Sequence, residues 1–274
     1  MKTAFGLNIP QTLEDVCDPR RTALLVYDMQ VGILSQIKNS KQITSKVLEV
    51  LTAAREAAVR VFFSRHLSLP KELMGVFQFR TAMAWQRKSS PEEINPWFLR
   101  ENPGFQIVPE LTPLPREGIF DKITMSAFEG TWFDIALRDC GINAFVVVGV
   151  ATEIGIDPTI RHGADLGYIP VFVTDACGAG NEDAARRSIE NFKFIGDAFV
   201  TDTENDLQNL SRRQQIRLEK VDQRVSGFLR LFFQNPMTSI RQDNYSDVVR
   251  DQFHLCAELV AQRFFAADRQ DRHC

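Results

Sequence analysis

The sequence predicts an α/β domain built on a parallel sheet covered by helices on both faces. Three observations carry this. Short apolar runs recur without alternation, helical periodicity fills the stretches between them, and strand-like and helix-like segments alternate along the chain. A composition of 44% hydrophobic and 24% charged residues over 274 positions is that of a chain able to bury a sizeable core.

Taken in order, residues 22–27 (TALLVY), 61–64 (VFFS), 144–150 (AFVVVGV) and 169–174 (IPVFVT) read as strands buried on both faces. Residues 46–59 read as a helix, with Val47, Val50, Leu51, Ala54 and Ala58 on one side, and residues 132–139 read as another that stops at Gly141. Residues 69–115 are rich in Pro, Trp and charge with weak periodicity, and read as a long excursion over a pocket mouth. The domain is expected to occupy residues 1–204. Beyond it, residues 205–274 read as an α-helical hairpin extension. Its first helix spans residues 205–233 with Leu218, Val221, Val225, Phe228 and Phe232 on one seam, and its second starts at Ser246.

Charge excludes one class of partner. The 32 basic and 35 acidic residues are interspersed, so no basic stripe is available for nucleic acid. No run approaches the length of a membrane span, and the N-terminal residues lack the layout of a secretory signal, so a cytoplasmic location is expected. The five cysteines are widely spaced with no CxxC pair, which fits reduced thiols rather than a disulfide frame or a thiolate zinc site.

In a parallel sheet the working residues lie at the C-terminal ends of strands. Asp28 follows the first run directly, where burial and a nearby cation can tune a carboxylate for proton transfer; the same position also suits a helix N-cap. Lys122 ends an extended stretch, where it can neutralise a buried carboxylate or snorkel to the surface. The segment from Gly149 to Gly180 is the strongest signal: a buried strand, a tight turn, then a helix from near Gly155 that tolerates Pro158 in its first turn. Backbone N–H groups at such a start suit an anionic oxygen.

The blocks TALLVYDMQ, DKITMSAFEGT and VVVGVATEIGIDPTIRHGADLGYIPVFVTDA, in this order, resemble the isochorismatase-like hydrolases, also called cysteine hydrolases, over residues 19–203. The resemblance implies a three-layer α/β/α fold with a six-stranded, mostly parallel sheet, a homodimer or homotetramer, and a cis peptide at Val150–Ala151. In most members, nicotinamidases among them, an Asp, a Lys and a Cys are catalytic. Asp28 and Lys122 match the first two, and Gly155 stands where the cysteine should be. Ala151, Thr152 and Gln30 then become candidate substrate contacts beside the catalytic positions.

Without the thiol, covalent amide hydrolysis loses its nucleophile. Isochorismatases in the family also lack it, with Gly among the residues found there, and protonate a vinyl ether before water adds. Vinyl-ether hydrolysis of an isochorismate-like carboxylated substrate, with Asp28 as general acid, is therefore the leading expectation. Gln78, Arg80 and Arg87 are its candidate anion anchors. The turn Val150-Ala151-Thr152-Glu153 resembles the amidase-like branch instead, so a C–N hydrolase with an altered nucleophile, or a catalytically silent binding protein, are the alternatives. Nicotinamidase zinc is held by an Asp and closely spaced histidines, whereas only His66 lies in that region here; neither metal nor cofactor is expected.

Overall fold

Every pairing in the six-stranded main sheet is parallel. The structure, a computed structural model, describes residues 1–205 of the chain. A small antiparallel hairpin, β1 (Lys2–Ala4) and β2 (Leu7–Ile9), precedes a one-turn helix α1 (Leu13–Val16). Then follow β3 (Thr22–Tyr27), α2 (Val31–Leu34), α3 (Ser40–Glu56), β4 (Arg60–His66), α4 (Val76–Gln86), β5 (Gly118–Lys122), α5 (Phe133–Asp139), β6 (Ala144–Gly149), α6 (Asp157–Asp165), β7 (Ile169–Cys177), α7 (Glu182–Ile195) and β8 (Phe199–Thr201).

The strand order is β5–β4–β3–β6–β7–β8, so the run from β3 to β5 builds the sheet in one direction and β6 returns to the other side of β3. The order therefore reverses between β3 and β6, the place where a crevice opens beyond the strand ends. The register sets Tyr27 between Ser64 on β4 and Gly149 on β6, and His66 beside Lys122.

All six residues of β3 and all six of β6 are buried, which is why neither run alternates in sequence. Leu24 and Val26 pack with Val47, Val50 and Leu51 of α3. Ala23, Leu25 and Tyr27 point the other way, to Phe133 and Leu137 of α5, Ile160 of α6 and Phe192 of α7. Two apolar layers on one sheet give the three-layer α/β/α architecture.

Boundaries differ from expectation where packing extends the pattern. Helix α3 starts at Ser40 because buried Ile43 adds another turn to the stripe, and it ends at Glu56, with Ala58 turning the chain at φ +55°. Strand β7 runs on to Cys177, past the expected residue 174. The excursion holds the eleven-residue α4. The C-terminal helices expected over 205–233 and from Ser246 lie outside the described residues. Among the described residues, no helix is long and apolar enough to cross a membrane.

Candidate active site

Strand β3 ends because Asp28 enters the left-handed region, at φ +49°, a conformation Asp adopts more readily than most residues with a Cβ. The turn directs its carboxylate sideways across the neighbouring strands. Oδ1 accepts a hydrogen bond from Ser64 Oγ of β4 at 2.6 Å, and Oδ2 accepts one from Lys122 Nζ of β5 at 2.7 Å. The side chains of Lys122 and Asp28 are only 1% and 6% exposed, so this is an ion pair taken out of water. Burial draws the Lys122 ammonium below its ordinary range while the Asp28 charge opposes it. The same ammonium lies 4.3 Å from the centre of the Tyr27 ring.

On the other side of β3 the chain leaves β6 through a cis peptide at Val150–Ala151, as the resemblance implied, and makes a wide helical turn over Thr152–Ile156 before α6. Two glycines in this stretch are required by Tyr27. At Gly149, with φ +125°, a Cβ would stand 2.1 Å from the Tyr27 carbonyl oxygen. At Gly155 a Cβ would stand 2.1 Å from the Tyr27 hydroxyl oxygen and 2.6 Å from Cζ. The volume beside position 155 is thus filled by a phenol from the adjacent strand. Tyr27 is 1% exposed, and its hydroxyl donates to the Met125 carbonyl. Burial, followed by the Asp28 charge, raises its pKa well above the ordinary phenol value.

Asp28, Tyr27, Ala151 and Gly155 form the floor of a cavity of about 380 Å³, with His66, Trp85, Trp97 and Phe98 around it and Arg87 at its edge. The His66 ring meets Trp85 and Phe98 edge-on, at 6.3 and 5.8 Å between centres. Burial, with help from the Lys122 charge, lowers its pKa from 6.5 to about 4, so it is a neutral imidazole at pH 7. Below pH 6.5 the unfolded chain takes up a proton that the folded His66 refuses until about pH 4. Stability is therefore expected to fall as pH drops through that window. A His66→Gln variant should have a flatter profile of melting temperature against pH; an unchanged slope would contradict the neutral imidazole.

Arg87 ends α4 in the left-handed region, at φ +52°, and among the described residues its guanidinium has no carboxylate partner. Ala151 also lines the cavity, and its N–H has no acceptor among the described residues.

Other expected contacts lie elsewhere. The amides of residues 154–156 all turn back to the Ala151 carbonyl, at 3.1–3.3 Å, so the turn offers no ring of free donors at Gly155. Thr152 gives both its N–H and its hydroxyl to Gly178 O and borders a separate hollow. Gln30 is fully buried, its side-chain amide bonded to the His66 carbonyl and N–H and to the Phe105 carbonyl; it is a strut tying β4 to the excursion rather than a substrate contact. Gln78 caps its own helix at the Gly75 N–H and lines a neighbouring aromatic groove, while Arg80 is exposed outside the cavity. Of the three excursion anchors, only Arg87 reaches the cavity. Cys177 is buried with its thiol donating to Val147 O, and burial pushes its pKa far up, so it packs rather than reacts. Among the described residues no group of three His, Cys, Asp or Glu side chains gathers into a metal-binding set.

Sequence reasoning missed Tyr27 and Ser64. Both are polar members of apolar runs, and that was the available signal.

The isochorismatase domain matches residues 22–205. A ureidoacrylate amidohydrolase of Acinetobacter baylyi is 28% identical over 216 residues, covering 72% of this chain and 87% of the relative. Another, from Pseudomonas syringae pv. syringae, is 30% identical over 196 residues, covering 65% and 80%. The crystal structure of a cysteine hydrolase from Pseudomonas syringae pv. phaseolicola superposes with a TM-score of 0.63 at 24% identity, covering 72% of this chain and 96% of that one.

Proposed function

The chain belongs to the isochorismatase family of hydrolases, and on that premise we propose that it cleaves a C–N bond of a small carboxylated substrate by direct attack of water, without a covalent intermediate. The observation that carries this is the Tyr27 hydroxyl in the space beside Gly155, which leaves no room for a nucleophilic side chain there.

In this reading Arg87 pairs with the substrate carboxylate and the Ala151 N–H faces the carbonyl oxygen, where negative charge develops. Asp28 takes a proton from water as the oxygen adds to the carbonyl carbon. It returns that proton to the leaving nitrogen as the C–N bond breaks, so the products are an acid and an amine. Lys122 and Ser64 hold both carboxylate oxygens as acceptors, an arrangement suited to a base. The curated relatives that act on ureidoacrylate, a carboxylated substrate, support the same bond class.

A second reading keeps vinyl-ether hydrolysis, because glycine at position 155 is also found in the family's isochorismatases. It needs Asp28 to hold a proton before the substrate reacts, whereas both oxygens accept hydrogen bonds in the resting site, and it ranks second for that reason. The two separate by assay. Amine or ammonia release from ureidoacrylate and small carboxylated amides supports the first, and pyruvate release from isochorismate the second. A well-folded protein that turns over neither is not an enzyme of either kind. Arg87→Ala is expected to raise KM for a carboxylated substrate about 10- to 100-fold with little change in kcat, the signature of a lost ground-state contact. An unaltered KM would remove Arg87 from the site.

A further inference from the structure

We infer that Tyr27 is a catalytic residue of this reaction, its phenol oxygen accepting one hydrogen of the attacking water while Asp28 receives the other. The inference rests on the water-attack reading above and names the group that fixes the water.

Position is the first support. The Tyr27 oxygen lies 2.1 Å from where a Cβ at residue 155 would be, so it stands at the family's nucleophile position although it comes from a different strand. Tyr27 lines the same cavity as Asp28 and Ala151.

Hydrogen-bonding capacity is the second. A phenol has one donor, and here the Met125 carbonyl takes it. The adjacent Thr159 hydroxyl gives its own proton to Gly155 O at 2.7 Å and accepts from Ala127 N–H at 3.0 Å. With its one proton given to Met125, the Tyr27 oxygen keeps acceptor capacity. A raised pKa keeps the phenol protonated and in this role. Two acceptors, one a carboxylate and one a neutral oxygen, match the two hydrogens of a single water.

Rigidity is the third. Lys122 over the ring, the Met125 bond and the close approach of Gly149 to its backbone leave Tyr27 little freedom. The reaction balances without a change at the phenol: one O–H bond of water breaks, its proton goes to Asp28 and then to nitrogen, and Tyr27 gains and loses none.

The test compares wild type with Tyr27→Phe on an amide substrate that wild type hydrolyses. A misplaced nucleophile is expected to lower kcat by about a hundredfold and leave KM unchanged. Because losing a buried hydroxyl can unsettle the fold, 3-fluorotyrosine placed at position 27 alone is the second variant. It keeps the ring and the hydroxyl but weakens the oxygen as an acceptor, and a severalfold fall in kcat is expected. A kcat within twofold of wild type in the folded variants overturns the role, as does a change confined to KM. A wild-type protein with no turnover overturns the water-attack reading itself, and this role with it.

Discussion

Asp28→Asn is expected to lower kcat/KM by roughly 10²- to 10⁴-fold, the usual contribution of a positioned acid–base group. The substitution is nearly isosteric. The amide oxygen can still accept from Lys122, and its NH2 can donate to Ser64 Oγ, which turns to accept. The hydrogen bonds survive while the proton acceptor is lost. What changes electrostatically is Lys122, left buried without a counter-charge, at a cost on the order of 3–5 kcal/mol for a broken buried pair. Its pKa, already lowered by burial, falls further once the opposing Asp28 charge is gone. Between that lowered value and its ordinary 10.5 the unfolded chain binds a proton that the folded chain does not, so the variant should gain stability as pH rises. Denaturant titrations at several pH values, alongside kinetics, check both halves. Activity retained within tenfold of wild type would remove Asp28 from the chemistry whatever the stability does.

The second large effect concerns the missing thiol. Gly155→Cys alone should give neither a reactive thiol nor covalent amidase activity, because Tyr27 occupies the space. It should instead destabilise the fold by about 1–3 kcal/mol through overpacking. Tyr27→Ala alone should cost about 3–5 kcal/mol by leaving a cavity. Combined, the two changes relieve each other, and the pair should cost less than the sum by about 0.5–3 kcal/mol. In the double variant the sulfur lies in a cavity beside Asp28 and Lys122 and should alkylate with iodoacetamide, as intact mass will show. Additive costs would mean that the two side chains do not share a volume.

Much of the fold is legible in the sequence. β3 and β6 announce themselves because strands buried on both faces must be apolar throughout, and α3 because one side of it packs on the sheet. The edges were harder. β8, three half-buried residues, and β5, whose five residues include only Ile119 and Phe120 as large apolar side chains, leave too little apolar pattern to stand out.

For the site, Asp28 and Lys122 followed from strand ends and resemblance. Gln30 was misplaced because nearness in sequence to Asp28 says nothing of which way an extended residue points; its side chain turns inward to the backbone of His66. Tyr27 was hidden for a related reason: inside a doubly buried strand an aromatic residue reads as core. Its role shows only against Gly155, 128 positions away in sequence. A pair of residues that fit one volume carries no local periodicity.

The meeting of Tyr27 with both Gly149 and Gly155 also has a historical consequence. The glycine codons GGT and GGC lie a single base from a cysteine codon, so where either is used sulfur at position 155 is one mutation away. With the phenol in place that mutation meets a steric penalty before it confers any chemistry, and losing the phenol first opens a hole in the core. Each order of events passes through a destabilised intermediate, overpacked in one case and hollow in the other, so the two residues hold each other in place.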